Sequence, residues 1–312
     1  LKGAMWTKDG SRILTWTGAA VRIWDAVGGA KLHEYYAQQR VNNVISSAAW
    51  TADESAIWVL LGLGTYSLSC QKWDADTGDV ELEIPNVGIP QAWSTDETRL
   101  LTRSSMNVFI WDIARQETML TLRHDREVNG AIWNVDETRI LTWAGSTAHV
   151  WDAVGNEIIP ELEHQAEVSS AAWNADETRI LTTAGDRVQV WDARSGVLLF
   201  ALPIPSGTIA GAAWSPDESH ILAWGQDRVW VWDVTHHELL LTLTHTAPAL
   251  GAAWSQDGAQ IVSWSGSTAQ LWTIAPDRLM ALAAQLQIRP LTDAEREQFF
   301  LPALASSGDD PP

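Results

Sequence analysis

The sequence predicts an all-β fold, a seven-bladed β-propeller with a short C-terminal helical tail. Three observations predict it: twenty tryptophans among 312 residues, two tryptophan series that recur in step, and short β-branched runs cut by turn residues. The first series closes the phrases GAMW, SAAW, PQAW, GAIW, SAAW, GAAW and GAAW at Trp6, Trp50, Trp93, Trp133, Trp173, Trp214 and Trp254, in steps of 40 to 44 residues. The second closes RIW, QKW, FIW, HVW, QVW, WVW and QLW at Trp24, Trp73, Trp111, Trp151, Trp191, Trp232 and Trp272. An aspartate follows six of these seven, and Thr273 follows the last.

One unit shows the local logic. The pattern predicts strands at 171–173, 179–183, 188–191 and 197–202, separated by the turn clusters Asn174-Ala175-Asp176-Glu177-Thr178, Ala184-Gly185-Asp186 and Ser195-Gly196. Four short strands per unit of roughly 40 residues is the blade of a propeller, in which radial repetition leaves only short, protected edges.

The Trp-Asp dipeptides at Trp24-Asp25, Trp73-Asp74, Trp111-Asp112, Trp151-Asp152, Trp191-Asp192 and Trp232-Asp233 resemble those of the WD40-repeat family, and the likeness covers about residues 1–273. Tryptophan at the end of the first strand and the recurring DETRIL at 136–141 and 176–181 are similar to bacterial WD40 arrays. Those arrays stand at the C-terminus of multidomain signalling proteins, often joined to NTPase or caspase-like domains. The resemblance implies a ring used as a docking platform for protein partners, with upstream domains of the same polypeptide among the candidates. It also implies that a strand from upstream of the first repeat fills the outer place of the last blade, with Arg278–Ala283 as the competing candidate for that place.

Residues 274–301 are read as a helical tail. Leu279, Leu282 and Leu286 follow helical spacing, Thr292-Asp293-Ala294-Glu295 fits a capping box, and a second short helix is expected through Phe300 before Pro302. Residues 302–312 are expected to be disordered.

Composition narrows the function. A formal charge of −19 excludes unaided binding to nucleic acid or an anionic membrane surface, because there is no cationic excess to displace phosphate counterions. No apolar run approaches the roughly 20 residues that span a bilayer. The single cysteine, Cys70, rules out an intramolecular disulfide framework and suits a reducing, cytoplasmic setting. No metal or cofactor signature stands out, and His236-His237 reads as a solvated pair in a hairpin turn.

Two residue sets are candidates for a role. The WD40 resemblance implies a hydrogen-bonded set of His, Ser/Thr, Asp and Trp in some blades. Carried over residue by residue, it gives His164, Thr182, Asp186 and Trp191 in the fifth repeat, His124, Thr142 and Trp151 in the fourth, and His245, Ser263 and Trp272 in the seventh. This set is read as structural, with no catalytic residue expected. The partner-binding candidates are Trp16, Trp143, Trp224 and Trp264 at the ends of second strands, and Arg103, Arg126, Arg187 and Arg228 in the top loops. The tryptophans have a competing reading as packing between blades. Paired acids at Asp53-Glu54, Asp96-Glu97, Asp136-Glu137, Asp176-Glu177 and Asp217-Glu218 are assigned to the opposite face, for turn chemistry and solubility or for steering a basic partner. The function expected is a non-catalytic interaction platform. A structural spacer or oligomerisation module, or an enzyme with its site at the channel mouth, are the alternatives.

Overall fold

Short apolar runs bounded by Gly, Asp, Asn and Ser fold back on one another because each turn cluster reverses the chain before a strand can lengthen. The computed structural model describes residues 3–37, 43–51, 53–63, 68–85, 87–205, 207–265 and 268–274. Seven antiparallel sheets, or blades, occupy residues 3–36, 43–84, 89–123, 128–163, 168–203, 211–244 and 249–273. The first six have four strands each, and the seventh has three among the described residues. In the fifth blade the strands are Val168–Trp173, Arg179–Ala184, Arg187–Asp192 and Leu198–Pro203, in spatial order as in sequence. We call them inner, second, third and outer. The described fold is all-β; residues 275–312, which hold nearly all of the segment read as helical and the end read as disordered, lie outside the described residues.

The adjacent apolar pair of each second strand explains how blades stack. Successive strand side chains point to opposite faces, so in blade 4 Ile140 joins the core shared with blade 3 while Leu141 joins the core shared with blade 5. In blade 5, Ile180 and Leu181 repeat the division toward blades 4 and 6. Each such side chain is fully buried, which favours the fold by about 1.5–3 kcal/mol apiece. Six apolar clusters of this kind join consecutive blades from the first to the seventh. Among the described residues none joins the seventh blade to the first. There Trp6 is 60% exposed against 7% for Trp133 at the same repeat position, and Leu271 is 66% exposed against 1% for Val231.

Candidate interaction face

The two ends of the stack are built differently. Turns between inner and second strands and between third and outer strands share one end, the bottom, tied together by bonds such as Ala193 N–H to the Thr178 carbonyl, 2.9 Å. Turns between second and third strands share the top with the connections to the next blade. There the backbone of Val168 donates to Gly145 and that of His164 to Ser146.

At the bottom the acids are engaged. In each Asp-Glu turn the aspartate closes the turn: Asp96 Oδ1 accepts from Ser94 Oγ at 2.6 Å and from the backbone and hydroxyl of Thr98 at 3.0 and 2.8 Å. The Ser94 hydroxyl and the two Thr98 donors hold its carboxyl near 2, and Asp9, Asp53 and Asp217 are lowered to about 2 by equivalent bonds. The glutamate that follows adopts the left-handed backbone region, φ 56 to 59° at Glu54, Glu97, Glu137, Glu177 and Glu218. From there four of them reach back to the preceding blade. Glu177 accepts from Asn134 Nδ2 and Arg139 Nη2, both at 2.8 Å, and from the Val135 backbone. Burial opposes its charge, but these donors outweigh it and lower its pKa. Glu137 takes the Thr95 backbone and Arg99, Glu218 takes Asn174 and Ala175, and Glu54 takes the Lys8 backbone. The same arginines lie over the inner-strand tryptophan of the next blade, Arg139 at 4.7 Å from the Trp173 ring and Arg99 at 5.1 Å from Trp133. These acids are an inter-blade latch, a role the sequence reading did not include.

The aspartate of each Trp-Asp pair also closes a turn. Asp192 Oδ1 accepts from the Ser195 backbone at 2.7 Å and its hydroxyl at 2.6 Å, and Asp74 and Asp233 receive backbone N–H groups in the same way.

The histidine sets assemble in three blades. Thr182 Oγ1 lies 2.7 Å from His164 Nε2 and accepts from Trp191 Nε1 at 2.8 Å. Thr142 does the same between His124 and Trp151, 2.8 Å each, and Ser263 between His245 and Trp272, 2.7 Å each. An indole N–H can only donate, so the hydroxyl oxygen accepts it and its own proton is available to a neutral imidazole. Burial lowers the pKa of His164; burial and the neighbouring His149 push His124 down to about 4. Asp186 is a correction: it sits in the exposed second-to-third turn with its carboxylate 3.6 Å from Arg187, and it makes no bond to His164. The turn is too short to fold the aspartate inward. Trp24–Thr15 and Trp111–Thr102, at 2.8 and 3.1 Å, extend the pattern to blades without the histidine, which the sequence reading missed.

At the top, the structure divides the partner-binding candidates. Trp16, Trp143 and Trp224 are half-buried and pack against the cores between blades 1 and 2, 4 and 5, and 6 and 7. Trp264 is 39% exposed beside the uncovered edge of blade 7. Arg103 is held down, Nη1 donating to the Val128 carbonyl at 2.7 Å. Arg126 and Arg187 are exposed and Arg228 half-buried, with Arg187 and Arg228 each 3.6 Å from the preceding aspartate. Such exposed pairs contribute little to stability, so these guanidinium groups remain available at small cost.

Residues 157–192, from the outer part of blade 4 through the third strand of blade 5, match the family described as WD domain, G-beta repeat. The chain carries a WD40 repeat. The match spans His164, Thr182 and Trp191, and it is offset from the sheets: one sequence repeat supplies the outer strand of one blade and three strands of the next. Across the chain, the fold is similar to the C-terminal WD40 domain of Sif2, with TM-score 0.70 and 18% identity over 88% of this chain and 81% of that one. No curated protein matches by sequence. The likeness extends to the fold, and the described residues of this chain build seven blades of an all-β propeller.

Proposed function

We propose that this WD40 propeller is a non-catalytic docking platform whose partner binds the top face, and that it is the sensing or docking part of a larger cytoplasmic bacterial signalling or defence protein. The observation that carries the reading is the contrast between the ends. Bottom glutamates such as Glu137 and Glu177, 13% and 14% exposed, are consumed in holding blades together, while the top presents Arg126, Arg187 and Arg228 on successive blades. Loops fixed on a rigid scaffold lose little entropy when they bind, and a row of guanidinium groups suits a partner rich in carboxylates. Site-specific photo-crosslinkers at positions 126, 187 and 228, against others at bottom positions 115 and 194, test this in cells of the source organism. The reading expects one adduct from the top set, and the adduct from position 187 should disappear in an Arg126→Glu/Arg228→Glu variant. The same adduct from the bottom set alone would overturn it.

The exposed Trp6 and Leu271 favour one second reading, assembly through the uncovered edges of the first and seventh blades. A solution mass of one chain at high micromolar concentration would remove it.

A further inference from the structure

Blade 4 departs from its neighbours in its outer strand. In blade 5 the outer strand pairs along its length with one extra residue beside Trp191. In blade 4, Glu157 bridges to Trp151, the Ile158 N–H donates to the Val150 carbonyl at 2.9 Å, and pairing then resumes only at Leu162 opposite Ala148, so the ladder is interrupted by a bulge at residues 159–161 around Pro160. A bulge re-aims side chains. Here it brings Glu157 and Glu161 to His149 of the third strand, with one donor atom from each all within 4.8 Å of one another.

His149 is 8% exposed and its ring is held in place. The Thr147 hydroxyl lies 2.9 Å from Nε2, and Nδ1 faces Glu157 Oε1 at 2.8 Å. In blade 1 the same third-strand position is Arg22, which brings its own charge to Glu34. His149 brings an imidazole nitrogen instead, and the bulge supplies two carboxylates to it, one more than a single ring N–H can bond.

We propose that His149, Glu157 and Glu161 form a site for one divalent transition-metal ion, with Zn²⁺ as the reference case, on the outer rim of blade 4. Two ligand atoms 2.8 Å apart, each about 2.1 Å from a metal, subtend close to a right angle, and the exposed Glu157 side chain needs to swing only slightly to reach the tetrahedral spacing usual for Zn²⁺. One imidazole with carboxylates and open positions for water suits Zn²⁺ and its first-row neighbours over Mg²⁺. Thr147 orients the ring, the usual task of an outer partner. His124, edge-on at 5.2 Å between ring centroids, has its Nε2 on Thr142 and stays outside the site. The ion would pin the outer strand to the third strand where the backbone ladder is interrupted.

The test uses the whole chain after chelator treatment, titrated calorimetrically with Zn²⁺ and followed by Co²⁺ absorption. One equivalent of Zn²⁺ should bind and raise the thermal midpoint, with no such rise from Mg²⁺. Glu161→Gln, at an exposed position where circular dichroism should show an unchanged fold, should weaken Zn²⁺ binding by about tenfold or more. His149→Gln should do the same, and His236→Gln should leave binding unchanged. The proposal is overturned if Zn²⁺ gives neither heat nor a midpoint shift, if Glu161→Gln binds as the unaltered chain does, or if binding is lost with His236 instead.

Discussion

Trp143 and Gly130 stand directly opposite each other across the second and inner strands of blade 4, and the indole fills the space that a side chain on the glycine would need. A Cβ built on Gly130 would lie 2.1 Å from Trp143 Cζ2. The pairing recurs as Gly3–Trp16, Gly211–Trp224 and Gly251–Trp264, each in register across the same two strands. Blade 5, which lacks the tryptophan, has Ser170 opposite Thr183, with their hydroxyls 2.8 Å apart. The glycine of GAMW, GAIW and GAAW is therefore a packing requirement imposed by the strand beside it.

Gly130→Ala should destabilise the protein by about 1–3 kcal/mol, the usual cost of overfilling a packed site. Gly130→Ser with Trp143→Thr reproduces the pair of blade 5 and should cost less than the sum of its single substitutions. A double-mutant cycle in urea checks this. Additive effects would mean that the ring does not depend on the glycine.

Much of the fold was legible because its signals repeat along the chain: the two tryptophan series mark inner and third strands, and the Ile-Leu pair of the second strand in blades 4, 5 and 6 buries both faces. The site was less legible because its relationships cross between strands and blades. Trp143 reads as an anchor until the register places it over Gly130, although the glycine occurs at that spacing only in repeats whose second strand ends in tryptophan. Glu177 reads as a surface acid until its left-handed backbone turns it toward Arg139. A readable sign existed there too, since the same turn position is glycine in the first and last repeats, Gly10 and Gly258, both at positive φ. His149, Glu157 and Glu161 are spaced like no familiar metal motif, and only the bulge at Pro160 brings them together.

The latch sets a second expectation. Glu177→Ala removes hydrogen bonds to Asn134, Val135 and Arg139 but keeps a side chain in the left-handed region. It should lower stability by about 1–3 kcal/mol, the range for bonds to a charged group. Glu177→Gly loses the same bonds and relieves roughly 1 kcal/mol of backbone strain, so it should be the milder change. Chemical denaturation of the two variants gives the order, and the reverse order would show that the turn is unstrained.

Acid should act in two windows. His164 is held neutral by burial, with its pKa below the ordinary 6.5, while the unfolded chain takes up a proton there. Its contribution is complete above about 6.5 and is lost as pH falls from there through the folded value, at no more than about 1.4 kcal/mol per pH unit. Asp9, Asp53, Asp96 and Asp217, held near 2, contribute in full above the ordinary 3.8, and their share is lost as pH falls from there through 2. Urea midpoints between pH 8 and about 2, alongside an NMR titration of the His164 ring, separate the windows. A ring that titrates at 6.5 or above in the folded protein would contradict the first.

Cys70 offers a local probe of how blades 2 and 3 hold together. Its thiol is 2% exposed in their shared core, and burial pushes its pKa up to about 12. A thiol reagent needs the thiolate and access to it, so labelling should proceed only through opening of that core. Trp58 stacks on Trp93 across the same interface at 4.0 Å between ring centroids. Trp58→Ala removes that stack and leaves a cavity, a loss of about 3–5 kcal/mol for a buried tryptophan. Labelling of Cys70 in native buffer should then speed up by orders of magnitude while the far blades stay folded. Fast labelling of the unaltered protein would place the thiol outside the core.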